Sequence, residues 1–458
     1  MKLIICGAGQ VGYHLARQLS QEGNEITIID NQIENIEEVN NSLDVRAIIG
    51  HGAHPDILEK AGAREADMLI AVTHSDEVNM IACQIAHTLF EMPRKIARIR
   101  QQSYLANEWK NLFRRDHMPI DVIISPELEV GRLVLRRLAM PSVFDSELFG
   151  EGKIYMLGLR VDETCPVLDT PLIQLTGLFP DLGAIVVGII RDGALFVPKS
   201  DDYMQANDSV YLITPEEDVE RTINIFGYSQ SEARNIILVG GGNIGKYVAE
   251  QLDKGSGAGS LRVIENNPEK ARELARNIEK AIVLEGSGLD RDILVEAGVR
   301  GAELTVALTN NDQVNILTSL MAREEGCPHT LCLVNNPDFV PMISKLGVDD
   351  AINPRATTIS SILRHIRHGR ILQVYSVADG QAEITEAVAL GSSPVIGKEL
   401  SEISFPDGVM VGAILREGKV LKPRGSLRIE EGDHVVLFVL SSSVQAVERM
   451  FRVSLEYF

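Results

Sequence analysis

Residues 1–19 read MKLIICGAGQVGYHLARQL, and residues 233–252 read ARNIILVGGGNIGKYVAEQL. Each stretch is an apolar strand-like run, a glycine-rich turn and the start of a helix-like pattern. The turns are Gly7-Ala8-Gly9-Gln10-Val11-Gly12 and Gly240-Gly241-Gly242-Asn243-Ile244-Gly245. In such a turn the first glycine makes the strand-to-helix bend. The second lets the backbone approach a pyrophosphate, and the third lets helix and strand pack closely. Phosphates then rest on the free N–H groups of the helix N-terminus. Farther along, each copy has a second apolar run that ends in an acid, Asp30 in EITIIDN and Glu265 in LRVIENN. A carboxylate there accepts hydrogen bonds from a ribose diol and repels a 2′-phosphate. A single G-x-G-x-x-G is weak evidence, but the same arrangement twice in one chain predicts two Rossmann-like nucleotide-binding domains.

Strand and helix continue to alternate beyond the first turn. Apolar runs at Asp44–Ile49, Met68–Val72, Lys95–Arg100 and Val122–Ile124 read as strands, with helices over Pro55–Ala61 and Asp76–Thr88. This rhythm predicts a doubly wound parallel sheet. The second copy repeats it with strands at Ile236–Val239, Leu261–Glu265, Ala281–Leu284 and Leu304–Leu308. Gly50-His51-Gly52 becomes Gly286-Ser287-Gly288, and Thr73, Asp76 and Asn79 become Thr309, Asp312 and Asn315. Between and after these segments the composition changes to short β-branched hairpins. KIYMLGLRV, GAIVVGIIRDGALFVP and DSVYLIT are answered by ILQVYSV, GVMVGAILREGKVLKP and DHVVLFVL. Asp192-Gly193 and Glu417-Gly418 sit at the hairpin turns. The expected fold class is α/β: two Rossmann-like doubly wound parallel-sheet domains, each followed by a small α+β, β-rich domain. The expected boundaries are 1–124, 144–228, 233–353 and 372–453, with the break between halves near 227–232. Two joining segments, Pro126–Leu138 and Pro354–Ile366, read as helices beginning with proline. Their apolar stripe fits either a helix packed on its own sheet or one that crosses to a partner domain.

The chain has 458 residues and a net charge of −20, from 64 acids against 44 bases. Such an excess argues against sequence-independent nucleic-acid binding and against lying on an anionic lipid surface. No leader is expected, because the first strand begins at the N-terminal Met1. No apolar run approaches the ~18–20 residues of a spanning helix, so any membrane connection is expected to run through a protein partner. Five dispersed cysteines read as reduced thiols in a cytoplasmic protein, and none has zinc-site spacing.

Ligands of open parallel sheets lie outside the carboxyl ends of the strands. Thr73 and His74 end the fourth strand there, as Thr309 and Asn310 do in the second copy. Arg98 and Arg100 lie two apart, and on a strand they would share one face, where a guanidinium can clasp phosphate. The second copy has Leu333 and Asn335 in the matching run, so the two sites are expected to differ. His51, His54 and His74 are expected to line the first cleft without binding metal. Gly52 and Ser287 complete the candidate cofactor-binding residues. No catalytic motif accompanies either cleft. An NAD-dependent oxidoreductase would need an acid/base and a substrate pocket. A nucleotide-sensing transcription regulator would need a basic helix-turn-helix, and neither terminus carries one.

The repeated order of glycine loop, acid-ended strand, G-x-G and T-x-x-D-x-x-N, followed by a small β-rich domain, resembles the RCK (regulator of potassium conductance) family over essentially all 458 residues. Two such units in one chain are similar to regulatory subunits of Trk-type potassium uptake. The resemblance implies a non-enzymatic, cytoplasmic subunit that is peripheral on the inner membrane. It would self-assemble as a ring beneath an ion-conducting partner of the TrkH kind. It also implies that NAD(H), and with it ATP or ADP, binds the first cleft at Gly7 to Val11, Asp30, Thr73, His74 and Arg98. The matching positions in the second half are Gly240 to Ile244, Glu265 and Thr309.

Overall fold

The structure, a computed structural model, describes residues 1–109, 111–228, 233–255, 259–366, 371–391 and 393–451. The stretch proposed as the break between halves therefore lies largely outside the described residues. In chain order the first segment holds β1 (Lys2–Cys6), α1 (Gln10–Gln21), β2 (Glu25–Asp30), α2 (Ile33–Ser42), β3 (Arg46–Ile49), α3 (Pro55–Lys60), β4 (Met68–Ala71), α4 (Asp76–Phe90), β5 (Arg94–Arg98), β6 (Val122–Ile124) and α5 (Pro126–Ala139). A smaller segment follows, with β7 (Asp145–Phe149), β8 (Ile154–Arg160), α6 (Leu172–Leu178), β9 (Ile185–Arg191), β10 (Ala194–Phe196), β11 (Ser209–Pro215) and α7 (Val219–Ile225). The second half has β12 (Asn235–Val239), α8 (Asn243–Lys254), β13 (Ser260–Glu265), α9 (Pro268–Asn277), β14 (Ile282–Glu285), α10 (Arg291–Glu296), β15 (Leu304–Ala307), α11 (Asp312–Glu324), β16 (His329–Leu333), α12 (Val340–Leu346), β17 (Asp350–Ile352) and α13 (Pro354–Leu363). It ends with β18 (Ile371–Val377), β19 (Ala382–Val388), β20 (Val409–Arg416), β21 (Lys419–Leu421), β22 (His434–Leu440) and α14 (Val444–Met450).

The strands form four sheets. Two are six-stranded, in the orders β3-β2-β1-β4-β5-β6 and β14-β13-β12-β15-β16-β17. Their strand pairs run parallel, with Leu3 opposite Ile26 and Met68, and Ile236 opposite Leu261 and Leu304. The chain forms two compact units, one of residues 1–131, 335–337 and 352–365, the other of the remainder.

In the first unit β1 and β4 are buried on both faces, as expected of a parallel sheet covered by helices. Cys6, Leu69, Ala71, Cys83 and Ala86 belong to one core with Leu58 of α3. The helix α13, which follows the second sheet in sequence, packs in this unit against α1 and β6 of the first sheet. Of the two readings open for the joining helices, the crossing one is found here.

In the second unit the two small sheets are antiparallel, in the orders β10-β9-β11-β8-β7 and β18-β19-β22-β20-β21. Their hairpins turn at Asp192 (φ 52°) and Gly193 (φ 81°), and at Glu417 (φ 48°) and Gly418 (φ 77°). Two successive positive φ values match the right-handed twist of the paired strands. The sheets share one core, in which Met156, Val187 and Ile213 meet Ile384, Val436 and Phe438. The contact is close and reciprocal. A Cβ on Gly188 would lie 2.7 Å from the Phe438 ring, and one on Gly412 would lie 2.1 Å from Ile213 Cδ1.

The sequence reading passed over β7, α6, α12, β17 and β19. The edge of β7 is held by buried charge. Arg136 Nη2 lies 3.0 Å from Glu147, and Arg137 Nη2 donates to Asp145 at 3.4 Å. The Arg137 Nε also lies 3.3 Å from Asp350 on β17, so the end of α5 meets the second parallel sheet. Tyr375 donates its hydroxyl to Asp145 at 2.7 Å.

A second polar device recurs in both large sheets. The buried Asn79 carboxamide oxygen accepts from the Thr73 N–H at 2.9 Å and the Thr73 hydroxyl at 2.7 Å. Its nitrogen donates to the carbonyls of Arg98 and Thr73 at 2.9 and 3.2 Å. Asn315 repeats this with Thr309 at 2.9 and 2.6 Å and with the Leu333 carbonyl at 3.0 Å. The T-x-x-D-x-x-N pattern is thus a clasp that ties the ends of two adjacent strands to a helix.

Removing either carboxamide strands several buried polar groups at about 1–3 kcal/mol each. N79A and N315A are each expected to lower the unfolding free energy by about 2 kcal/mol or more, read by urea denaturation. An unchanged midpoint contradicts the clasp. Asp350 yields a pH prediction. Burial pushes its carboxyl up to about 6, against the opposing pull of Arg137 and Arg160. The ordinary value is about 3.9, so between about pH 4 and 6 the folded state holds a proton that the unfolded state has lost. Stability from this group is therefore present at low pH and falls as pH rises through that window. The difference in thermal midpoint between wild type and D350N should shift toward the wild type from pH 7 to pH 5. A constant difference contradicts the account.

Candidate functional site

β1 delivers the chain to Gly7, whose φ of 105° makes the bend and whose N–H donates to Ile29 O at 2.8 Å. The helix α1 then starts at Gln10 with Gly9 as its cap, and no side chain satisfies its first N–H groups. A Cβ on Gly9 would meet nothing within 4 Å, so this face of the turn is open. A Cβ on Gly12 would lie 1.8 Å from the Gly7 carbonyl oxygen, so α1 can sit where it does only with glycine there. The unsatisfied N–H groups and the helix dipole make an anion site where the chain is uncovered. The turn at Gly240, Gly242 and Gly245 has the same geometry, again with 1.8 Å between a Cβ on Gly245 and the Gly240 oxygen.

A cleft of about 770 Å³ opens over the first turn. It is lined by Gly7, Ala8, Gly9, Gln10 and Val11 of the turn, by Asp30, by Gly52, by Thr73 and His74, and by Arg98. These expected residues come from five separate stretches of chain. Gly12 is the exception within the turn, because it packs inward on Gly7. Tyr13 and His14 of α1, and Asn31, Gln32, Asn35 and Glu38 after β2, also line the cleft and were not anticipated. His51 lines it and stacks on His54, with ring centroids 4.6 Å apart, while His54 itself lies outside the lining.

Asp30 does more than wait for a ribose. Its Oδ2 accepts from the Ala8 N–H at 2.6 Å and its Oδ1 from the Gln32 N–H at 2.8 Å. The carboxylate therefore ties the glycine turn to the end of β2, and it lines the cleft with lone pairs to spare. Glu265 does the same for Gly241 at 2.5 Å and Asn267 at 2.8 Å, but it is only 6% exposed.

Arg98 donates from Nη2 to the Thr73 carbonyl at 2.7 Å. Its Nε is buried with no acceptor. Burial first, and the Arg100 charge second, lower its pKa, though guanidinium remains charged. A buried charged donor without a partner is relieved by an anion in the cleft. The expectation for Arg100 is corrected. β5 ends at Arg98, and the N–H groups of Arg100 and Gln101 are captured by Asp76 at 2.9 and 2.8 Å. The chain turns away, and the Arg100 side chain pairs with Glu127 at 3.2 Å, outside the cleft lining. The two arginines do not share a face.

In the second copy Leu333 closes β16 where Arg98 closes β5, and it is buried. Asn310 and Ser287 are exposed, and the Ser287 hydroxyl accepts from the Leu289 N–H at 3.2 Å. The turn, the carboxylate and the clasp are thus all duplicated, and the cation is not. All five cysteines are buried and reduced. Among the described residues no group of histidine, cysteine and acid side chains could hold a metal ion, and no helix is long and apolar enough to cross a membrane.

With this geometry in place, the comparisons with known proteins agree with one another. The TrkA-N domain family matches residues 3–126 and 236–354, and the TrkA-C domain family matches 156–227 and 384–452. The Trk system potassium uptake protein TrkA of Azorhizobium caulinodans is 48% identical over 458 residues, covering 100% of both chains. Proteins of the same name from Halomonas elongata and Vibrio alginolyticus are 37% and 36% identical, over 100% and 99% of both chains respectively. Among solved structures, the GsuK channel bound to NAD superposes with a TM-score of 0.59 at 16% identity, covering 98% of this chain and 78% of that one. The GsuK RCK domain gives 0.59 at 16% identity, covering 98% and 94%. From these full-length matches, and from a glycine turn repeated in two parallel sheets that are each followed by a small antiparallel sheet, the chain belongs to the TrkA family, built of tandem TrkA-N and TrkA-C domains.

Proposed function

We propose that the chain is the nucleotide-binding regulatory subunit of a Trk-type potassium uptake system, gating an integral membrane ion-conducting subunit of the TrkH kind. The observation that carries the reading is the open, uncapped N-terminus of α1 beside the partnerless Arg98 Nε, in a chain alike over its whole length to proteins named for potassium uptake. We divide it into nucleotide-binding domains at 1–124 and 233–353 and small domains at 144–228 and 372–453. NAD(H) or ATP/ADP would occupy the first cleft, with phosphates on Gly9–Val11 and Arg98 and the ribose on Asp30. A 2′-phosphate would be repelled by Asp30, which favours NAD(H) over NADP(H). Occupancy acts as a signal, because the chain supplies donors and charge to the ligand. We place the protein in the cytoplasm, peripheral to the inner membrane through its partner and assembled with further copies of itself.

A nucleotide shifts a conformational equilibrium only by its difference in affinity for the two arrangements. A charged cleft with a fixed helix end supplies such a difference, because phosphate binding strengthens with each donor brought to it. Gly9 gives a clean test, because a side chain there has room but would put a carboxylate at the phosphate position. Calorimetric titration with NADH, NAD, ATP and ADP should show binding that G9D weakens by about a hundredfold, the scale of two lost charge-assisted hydrogen bonds. G242D should leave the first-cleft binding intact. In vesicles that hold the membrane subunit, potassium flux should depend on nucleotide when this chain is added. Flux indifferent to nucleotide would sink the reading.

A further inference from the structure

The first cleft extends along α1 past the glycine turn to His14, which lines it one helical turn beyond Gln10. His14 does not stand alone. Its Nε2 lies 3.3 Å from Nη1 of Arg355, the second residue of α13, which packs on α1 in the same unit. The Arg355 Nη2 also donates to the Asn335 carbonyl at 3.1 Å, which holds the guanidinium at that end. Burial first, then the charges of Arg17 and Arg355, lower the His14 pKa, so its ring is neutral at pH 7. A guanidinium can only donate, so Nε2 accepts and the ring proton sits on Nδ1. The end of the cleft therefore carries a neutral histidine, and the Arg355 guanidinium stands behind it, outside the lining.

That charge comes from the second half of the chain, and the arrangement belongs to one copy. Aligning the prolines that open α5 and α13 puts Glu127 in the place of Arg355, and aligning the glycine turns puts Tyr247 in the place of His14. The second copy has an acid and a phenol where the first has a cation and an imidazole.

We propose that Arg355 determines ligand specificity at the first cleft by reading a phosphate beyond the diphosphate, favouring a nucleoside triphosphate over a diphosphate or dinucleotide. The inference rests on the cleft being a nucleotide site. The diphosphate common to these ligands sits on the α1 N-terminus with Arg98. A further phosphate directed along α1 meets His14 and then Arg355, and it gains a charge-assisted pair. A dinucleotide puts an uncharged ribose in the same place and gains none. A triphosphate in the first cleft would thus be held jointly by α1 of the first half and α13 of the second.

The test is calorimetric titration of the full chain, wild type and R355Q, with ATP, ADP and NADH. Gln keeps an amide donor for the Asn335 carbonyl and removes the charge. R355Q should weaken ATP about tenfold or more, the effect of one lost charge-assisted bond, and should leave ADP and NADH within about twofold. R355K, which keeps the charge without the fork, should fall between, and it serves as the second variant if R355Q melts at a lower temperature. Unchanged ATP affinity, or an equal loss for all three ligands in both variants, overturns the proposal. Wild-type protein that binds none of the three overturns the nucleotide reading of the cleft, and this proposal with it.

Discussion

The Gly7 carbonyl oxygen occupies the place where a side chain on residue 12 would have to be, 1.8 Å from any Cβ built there. That approach seats α1 directly on the end of β1 and fixes the direction of its axis. Once the axis is fixed, the first N–H groups of the helix face the carboxyl edge of the sheet, and Gly9 leaves them uncovered. Asp30 then reaches the turn from β2, and the strand order brings Thr73 and Arg98 to the same edge from β4 and β5. The same contact between Gly245 and Gly240 seats α8, so the second copy inherits the frame whole.

The frame and its chemistry are separable. Bonds from acid to turn and from asparagine to threonine recur in both copies at nearly equal lengths, and they link backbone to side chain within the fold itself. They keep the cleft's shape. What a cleft can hold depends on side chains outside this set. Arg98 gives the first cleft a charged donor lacking an acceptor, while Leu333 puts a hydrocarbon at the matching strand end of the second copy. Glu265, one methylene longer than Asp30, folds under its turn and is nearly sealed from solvent. Duplication copied the scaffold, and the charge at the matching strand ends differs.

Much of this was legible because it rests on local pattern. The glycine turns, the acid-ended strands and the Asp192-Gly193 and Glu417-Gly418 hairpins each follow from residues a few positions apart. Two of the elements passed over share a different property. β7 and β19 carry Asp145, Glu147, Glu383 and Glu386, which read as solvent-facing but are buried. Asp145 is matched by Arg137 and Tyr375, and Glu386 lies 2.8 Å from His434. Tyr375 is 230 residues distant in the chain from its acid, and no local pattern registers such a pair. Arg100 failed for a related reason. Alternation places it on the face of Arg98 only if the strand continues, and Asp76, on another element, takes the backbone N–H groups that continuation would need. The Thr–Asn clasp was visible as a spacing, but as readily a ligand motif as a structural one. Only its four internal bonds show that the asparagine is spent within the fold.

The joining helices show why an amphipathic stripe alone stops short of topology. An apolar face states that a helix is covered and leaves open by what. In the structure α13 follows the second parallel sheet in sequence and packs with α1 of the first, and the end of α5 reaches β17 of the second sheet through Arg137. The small sheets, in turn, share a core in which Gly188 admits Phe438 and Gly412 admits Ile213. In a chain of two unmixed copies, every helix packed on α1 would come from the first half. Here the helix beside the first cleft belongs by sequence to the second half. The packing around α1 is therefore made by both copies, because one of the helices packed on α1 is not the first copy's own.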